Sequence, residues 1–388
     1  MNFGECSAAL LRADLTDTVY LFGRPDFRLS GSWDDWGRLD EALKERTKSG
    51  PDCLHPPGAA VGYFSYDGDF DFAFYPELEP VSQDPLFPEE VERSQAALDE
   101  DWAGEPGLEE YCRMIEAAQE HIRSGDIYQA NLARRFCRAV PDFDARRFFQ
   151  ALWQATGAPL SAYLECQDRI LCSASPELFI SLQGGRIRTQ PIKGTRPRDR
   201  DSLRDRQNAF ELATSPKEIA ELIMITDLER NDLGAICEYG SVTAPSLLHC
   251  EAFSHVFHLI STVEGQLRGD VSPVQAVRAC FPGGSITGAP KKRAREIIAQ
   301  LEPFRRGFYT GAIGYFGFDG SAQFNIAIRT AEYHRGKLSF FAGSGITADS
   351  DPVLEFEETE HKARALCQAF SIYQARRPIP ARKTGALP

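Results

Sequence analysis

Three segments near the C-terminal end, residues 309–318, 323–333 and 337–342, are strand-like and are broken by the turn pairs Asp319-Gly320 and Arg335-Gly336. Links this short join antiparallel neighbours, because a parallel pair needs a crossover of a dozen or more residues. Residues 161–165 and 169–172 read as another hairpin, and Val61-Gly62-Tyr63-Phe64-Ser65-Tyr66 reads as a strand ending at the Asp67-Gly68 turn. Between these lie helical spacings. Tyr111, Met114, Ile115, Ala118 and Ile122 recur on one face up to a stop at Ser124-Gly125. Residues 217–230, 274–280, 290–301 (with Pro290 near the first turn) and 352–370 also read as helices. Tight turns among mixed elements predict an α+β chain with antiparallel sheet rather than a doubly wound parallel one.

Three regions are expected along the chain. Residues 1–105 form a strand-rich N-terminal region, in which 1–75 read as short strands and turns and 76–109 as an exposed Pro/acidic connection. Residues 108–370 form the main domain, and 375–388, rich in Pro, Gly and basic residues, a flexible tail. With 43% hydrophobic residues in 388, there is enough apolar material for a large core. The net charge of −13 and the lack of a dense Lys/Arg block exclude nucleic acid as a partner. No apolar run approaches the roughly 20 residues that cross a bilayer. The N-terminus carries Glu5 and no basic start, so it does not read as a signal peptide. Ten scattered cysteines with no C-x-x-C pair fit reduced thiols and a cytoplasmic location.

Several residues have chemistry to offer. Glu218/Glu221 and Glu355/Glu358 are spaced i, i+3, so each pair shares a helix face. Such pairs are most often solvated surface, but here they sit among Ile219, Leu222, Ile223, Leu354 and Phe356. Hard oxygen ligands spread over two helices suit Mg²⁺. Lys193, in Pro191-Ile192-Lys193-Gly194-Thr195-Arg196, is either an exposed turn lysine or, if burial or a neighbouring cation lowers its pKa, a nucleophile. Glu177 in Ser175-Pro176-Glu177 can serve as a general acid if desolvated. The run from Gly283 to Lys291 approaches a phosphate loop, but Ala289-Pro290 before Lys291 and Lys292 after it break the pattern and exclude ATP binding. A glycine-rich turn at a helix start still offers N–H groups to a carboxylate. Gly343-Ser344-Gly345 reads as a second such turn, His258 as a core or capping histidine, and Arg329 as a strand residue able to point inward at an anion.

In order, Ser124-Gly125-Asp126-Ile127-Tyr128-Gln129-Ala130-Asn131, Ser175-Pro176-Glu177, the segment 191–196, Asp227-Leu228-Glu229-Arg230-Asn231-Asp232-Leu233-Gly234, the segment 255–258, the segment 282–291 and Gly343-Ser344-Gly345 resemble the motifs of the chorismate-utilising enzymes. The resemblance covers roughly 110–366. It implies an anthranilate-synthase-like sandwich of two antiparallel-rich sheets packed face to face, with helices outside and a buried active site between the sheets. It also implies roles. Glu221 and Glu358 match direct Mg²⁺ ligands, with Glu218 and Glu355 in support. Arg329 and Tyr309 match the receivers of the enolpyruvyl carboxylate. Gly343, Gly345, Ser285 and Lys362 match the rest of the anion pocket, Thr195 a further substrate contact, and His258 a histidine near the reacting ring carbon.

Within that family, Pro-Ile-Ala-Gly-Thr resembles the anthranilate synthases, whereas Pro-Ile-Lys-Gly-Thr, as here, resembles the branch that aminates chorismate at C4, aminodeoxychorismate synthase component I. The resemblance then makes Lys193 the covalent nucleophile, and implies a product leading to 4-aminobenzoate and folate. Anthranilate, isochorismate or salicylate synthesis is the alternative within the fold, and a chorismate-binding subunit without activity the alternative outside catalysis. No glutaminase-like segment is present, so ammonia is expected from solution or from a separate glutamine amidotransferase subunit. No lyase domain is present to release pyruvate. Feedback-regulated relatives carry Leu-Leu-Glu-Ser near the N-terminus; Leu10-Leu11-Arg12-Ala13 here departs from it and puts tryptophan binding in doubt.

Overall fold

The turn pairs do what their sequences predict. In the computed structural model, Ala312–Gly317 and Ala322–Ile326 pair antiparallel around Gly320 at φ +84°, and Thr330–His334 and Lys337–Ile346 pair around Arg335 and Gly336 at φ +49° and +77°. The structure describes residues 6–11, 18–47, 55–82, 102–253 and 256–375.

The two hairpins belong to different sheets, so 323–333 is not one strand. Residues 327–329 cross between the sheets, their backbone bonded to both: Ala327 N–H to Gly311 and the Arg329 carbonyl to Ala174 N–H. Arg329 therefore sits at a left-handed crossover, φ +48°, and not within an alternating strand. Likewise 309–311 form a turn before Ala312–Gly317 rather than its first residues, with Thr310 at φ +59°.

Each sheet has ten strands among the described residues. The first runs Gly288–Ala289, Gln129–Ala139, Lys337–Ile346, Thr330–His334, Arg169–Ser175, Leu160–Glu165, Ala8–Leu11, Thr18–Phe22 and Glu79–Ser82, with Ala103–Glu105 also pairing on Gln129–Ala139. The second runs Ile192–Pro197, Val256–Gln266, Arg186–Gln190, Leu178–Gln183, Ala322–Ile326, Ala312–Gly317, Ala59–Phe64, Phe70–Tyr75 and Phe27–Gly31, with Thr243–Ala252 on Val256–Gln266. N-terminal strands thus enter both sheets.

The sheets pack face to face through Leu10, Tyr20 and Phe22 of the first against Val61, Tyr75 and Ile313 of the second. Helices cover the outer faces. Ala145–Thr156 and Pro352–Ala375 pack on the first sheet through Phe148, Leu152, Leu366 and Phe370, and Trp36–Lys44 and Pro273–Cys280 on the second through Trp36, Leu39 and Val277. The Trp36–Lys44 helix lies where short strands and turns were expected; Trp36, Leu39, Asp40 and Leu43 are its buried residues, at helical spacing. The expected surface connection at 76–109 is in part sheet edge, Glu79–Ser82 and Ala103–Glu105, with Trp102 buried; residues 83–101 lie outside the described ones, as do Arg12, Ala13, His255 and 376–388. No described helix is long and apolar enough to cross a membrane.

Candidate active site

A β-bulge sets the centre of the site. Ile192–Pro197 pairs with Val256–Gln266 so that Lys193 faces Leu259 and Thr195 faces His258, leaving Gly194 as the extra residue at φ +69°. A Cβ there would stand 2.5 Å from Leu212 and 3.0 Å from the Glu218 carboxylate, so glycine also lets the helix Pro216–Gly234 approach the strand. The Lys193 side chain, 12% exposed, donates to the Ser285 carbonyl at 3.3 Å and lies 3.9 Å from Glu221. It is not an exposed turn lysine.

Glu177 is buried just before Leu178–Gln183, its N–H bonded to Ser175 Oγ at 3.2 Å and its carbonyl to Ile326 N–H. Burial raises its pKa; nearby Ser285, the charge of Lys193, the Ile192 N–H and Lys362 oppose that but do not cancel it. A raised carboxyl holds its proton to higher pH than an ordinary one, as a general acid must. Glu177 Oε1 and Ser285 Oγ are both buried without a well-formed hydrogen bond, and Ser285 lies near enough to Glu177 to oppose the rise in its pKa.

His258 is buried, its Nδ1 3.1 Å from Thr195 Oγ1 and 3.3 Å from the Gly194 carbonyl. Burial and then the Arg329 charge lower its pKa to about 4, against the Gly194 carbonyl. The ring is neutral at pH 7. An NMR titration of the ring protons is expected to place His258 near pH 4, with Arg329→Gln moving it upward. Folding stability tied to this residue is then present above the unfolded value of 6.5 and falls as the pH drops toward 4.

Arg329 is desolvated, which lowers its pKa, and no carboxylate pairs with it among the described residues. A buried guanidinium without an anion is costly, and a ligand carboxylate would relieve it. Tyr309 stacks on Phe341 with ring centres 5.1 Å apart, and its hydroxyl lies 2.9 Å from where a Cβ on Gly343 would stand. Gly343 and Gly345 lie inside the strand Lys337–Ile346, paired to Ala133 and Asn131, and do not form the expected turn. The glycines are needed for space: a Cβ on Gly345 would stand 2.3 Å from Gln129 Nε2 and 3.9 Å from Lys193 Nζ. Lys362 Nζ donates to the Gly343 carbonyl at 2.9 Å and pairs with Glu358 at 2.6 Å.

The two acidic pairs face each other across the helices Pro216–Gly234 and Pro352–Ala375, and their charges are felt mutually. Burial leaves Glu221 raised: the Lys193 and Lys217 charges oppose it, and the smaller Glu218 and Glu358 charges add to it. Burial first, and then Glu358, raise Glu355 against its bond from Ser350. Burial opposes the charge of Glu358, but Lys362, Lys217 and Lys193 hold its pKa down. Lys217, 3.7 Å from Glu355, feels all four carboxylates. As they stand, no three acidic, His or Cys side chains among the described residues converge as a ready cage for an ion. Glu358 is engaged by Lys362, Glu218 by Arg196 at 4.0 Å, and Glu355 by Ser350 at 2.7 Å. The donors are all carboxylate oxygens, the type a hard divalent cation takes, so the set fits Mg²⁺ in chemistry while requiring side-chain rotation to enclose it.

Gln129 and Asn131 stand in one of the motifs read from sequence, but no role was assigned to them there. They alternate on Gln129–Ala139 beside the two glycines, and Gln129 Oε1 and Asn131 Oδ1 are buried without partners. The period-two spacing Gln129-Ala130-Asn131 in a strand was the available signal. The Gly283–Lys291 turn is no phosphate loop: Lys291 is bonded to Asp232 and the Cys280 carbonyl. A cavity of about 220 Å³ lies elsewhere, bordered by Ser181, Arg186, Arg188, Tyr315 and Asp319, and none of the catalytic candidates lines it.

The model of the chorismate binding enzyme family matches residues 74–368, about three quarters of the chain, and the chain belongs to that family. It is 46% identical over 257 residues to aminodeoxychorismate synthase component 1 of Salmonella typhimurium, covering 66% of this chain and 56% of that protein. It is 42% identical over 298 residues to anthranilate synthase component 1 of Geobacillus stearothermophilus, covering 77% and 58%. The chain thus matches somewhat more than half the length of these curated relatives. Among solved structures, anthranilate synthase component I of Streptococcus pneumoniae aligns with a TM-score of 0.78 at 27% identity, covering 92% of this chain and 93% of that one. The menaquinone-specific isochorismate synthase of Escherichia coli shares the fold at TM-score 0.75 and 18% identity, covering 93% and 88%.

Proposed function

We propose that the chain aminates chorismate at C4 with ammonia to give 4-amino-4-deoxychorismate, the reaction of an aminodeoxychorismate synthase component I. The observation that carries this reading is the position of Lys193, inside the site beside Glu221 and the Ser285 carbonyl, where an anthranilate-synthase-like chain has alanine.

In this mechanism the amine of Lys193 attacks ring C2, the ring double bonds shift, and the C4–O bond breaks. Glu177 gives its proton to the departing hydroxyl, which leaves as water. Ammonia then attacks C4, the C2–N bond breaks and its electron pair returns to Lys193 as the amine, and the new C4 ammonium gives a proton back to Glu177; the sum is chorismate plus ammonia to product plus water. Arg329 and Tyr309, with Gly343, Gly345, Ser285, Thr195 and Lys362 around them, hold the enolpyruvyl carboxylate and ring, and His258 stands near the reacting carbon. Glu221 and Glu358, with Glu218 and Glu355 in support, would hold Mg²⁺, which would supply charge neutralisation at the ring carboxylate. A glutamine amidotransferase subunit supplies ammonia.

The test is incubation of the pure chain with chorismate, Mg²⁺ and ammonium. Aminodeoxychorismate is expected, with turnover lost on chelation of the metal; glutamine is expected to replace ammonium only when an amidotransferase subunit is added. Fluorescent anthranilate as the main product would sink the C4 assignment in favour of anthranilate synthesis. Chorismate bound but never consumed would mean a non-catalytic binding subunit.

A further inference from the structure

Each of the four acids that would hold the metal has a cation of its own. Glu221 has Lys193 at 3.9 Å, Glu218 has Arg196 at 4.0 Å, Glu358 has Lys362 at 2.6 Å and Glu355 has Lys217 at 3.7 Å. Three of these cations are anchored a second time by a backbone carbonyl. Lys193 donates to Ser285 at 3.3 Å, Arg196 to Thr195 at 3.0 Å and Lys362 to Gly343 at 2.9 Å. Lys217 differs. Among the described residues its ammonium has no carbonyl or hydroxyl partner, and its close contact is the ion pair with Glu355.

Its position is also unusual for a cation. Lys217 is the second residue of the helix Pro216–Gly234, where the unsatisfied N–H groups of a helix start disfavour positive charge. The bland alternative is a solvated surface lysine. Such a lysine would turn to water, whereas this one, 58% exposed, reaches across to a carboxyl of another helix that is only 5% exposed.

We propose that Lys217 is the displaceable counter-cation of the acid pairs: it competes with the divalent ion for Glu355, swings into solvent when the ion enters, and so sets the affinity of the site. This rests on the reading in which Glu218, Glu221, Glu355 and Glu358 hold Mg²⁺.

Two cations held a few ångströms apart among the same carboxylates repel, so one of them has to leave. Lys193, Arg196 and Lys362 would each give up a carbonyl bond on leaving, and Lys193 is needed for the covalent step. Lys217 loses only its ion pair and regains the strong hydration of an ammonium on a flexible stem. Until then its charge offsets the mutual repulsion of the four carboxylates. Lys217 is therefore a positioning residue: it acts on the reaction through the acids and the ion they take.

The test uses the full chain without chorismate and Mn²⁺ as the probe, an ion that takes the same hard oxygen ligands and whose free form is counted by electron paramagnetic resonance. Lys217→Met is expected to tighten Mn²⁺ binding roughly tenfold, because nothing has to be displaced. Lys217→Arg keeps the charge and is expected to stay within about twofold of the wild type. The tightening should vanish when Glu358→Gln is added to Lys217→Met. Equal or weaker binding by Lys217→Met, an equal tightening in Lys217→Arg, or a tightening that survives Glu358→Gln overturns the proposal and leaves the metal reading standing. Mn²⁺ bound alike by the wild type and by Glu358→Gln alone overturns the metal reading itself, and the proposal with it.

Discussion

Lys193→Ala is expected to lower formation of 4-amino-4-deoxychorismate by roughly 10³-fold or more, about 4 kcal/mol of transition-state stabilisation, with the fold intact. Alanine cannot form the C2–N bond, so the residual reaction is expected to be direct attack of ammonia at C2. The substitution also removes a charge. Lys193 opposes the rise in pKa of both Glu177 and Glu221, and its loss leaves both more protonated. Lys193→Arg separates the two effects: it keeps the cation beside Glu221 but offers no free amine, and its guanidinium stays protonated. If the covalent route operates, arginine is as inactive as alanine. A Lys193→Arg enzyme at wild-type rate would refute the nucleophile and leave only a charge role. A mass spectrum of chorismate trapped on Lys193 is the direct confirmation.

The fold was legible in the sequence wherever a local signal fixes a local structure. Asp319-Gly320 and Arg335-Gly336 announced their hairpins, and the spacing from Tyr111 to Ile122 announced the helix Leu108–Arg123. What no local signal carries is which sheet a strand joins. Residues 323–333 look continuous because both hairpins alternate, yet the chain changes sheets at Arg329, and the strain of its positive φ is invisible in its identity. Gly343-Ser344-Gly345 misled for a related reason. Glycine pairs suggest turns, but here they are spaces in a flat strand, required by Gln129, Asn131 and Tyr309 on other elements. The site follows the same division. Each motif placed its own side chains, whereas the cation among the acids, Lys217, and the buried groups beneath the turn emerged only from packing.

One such group carries the second large expectation. Arg306 and Glu302 are almost wholly buried, at 1% and 2% side-chain exposure, and join through Nε–Oε2 at 2.9 Å and Nη2–Oε1 at 2.7 Å. Arg306 also donates to the Ile286 carbonyl and Thr310 Oγ1, each at 3.2 Å, and to the Asn131 carbonyl, while Glu302 accepts the Ala133 N–H at 2.9 Å. One ion pair therefore ties the turn that presents Ser285, the strand that carries Gln129 and Asn131, and the turn after Tyr309. Arg306→Met leaves Glu302 charged and uncompensated, and is expected to destabilise the fold by about 3–5 kcal/mol, read as a fall in the denaturant midpoint. Glu302→Leu alone should do comparable harm. The double variant should recover much of the loss, because two apolar side chains leave no orphaned charge, although the carbonyls of Asn131 and Ile286 lose a donor. Recovery of stability without recovery of chorismate turnover is the expected pattern, since the bonds that hold the two turns in register go with the guanidinium. Strictly additive losses in the double variant would mean that the two charges do not depend on each other.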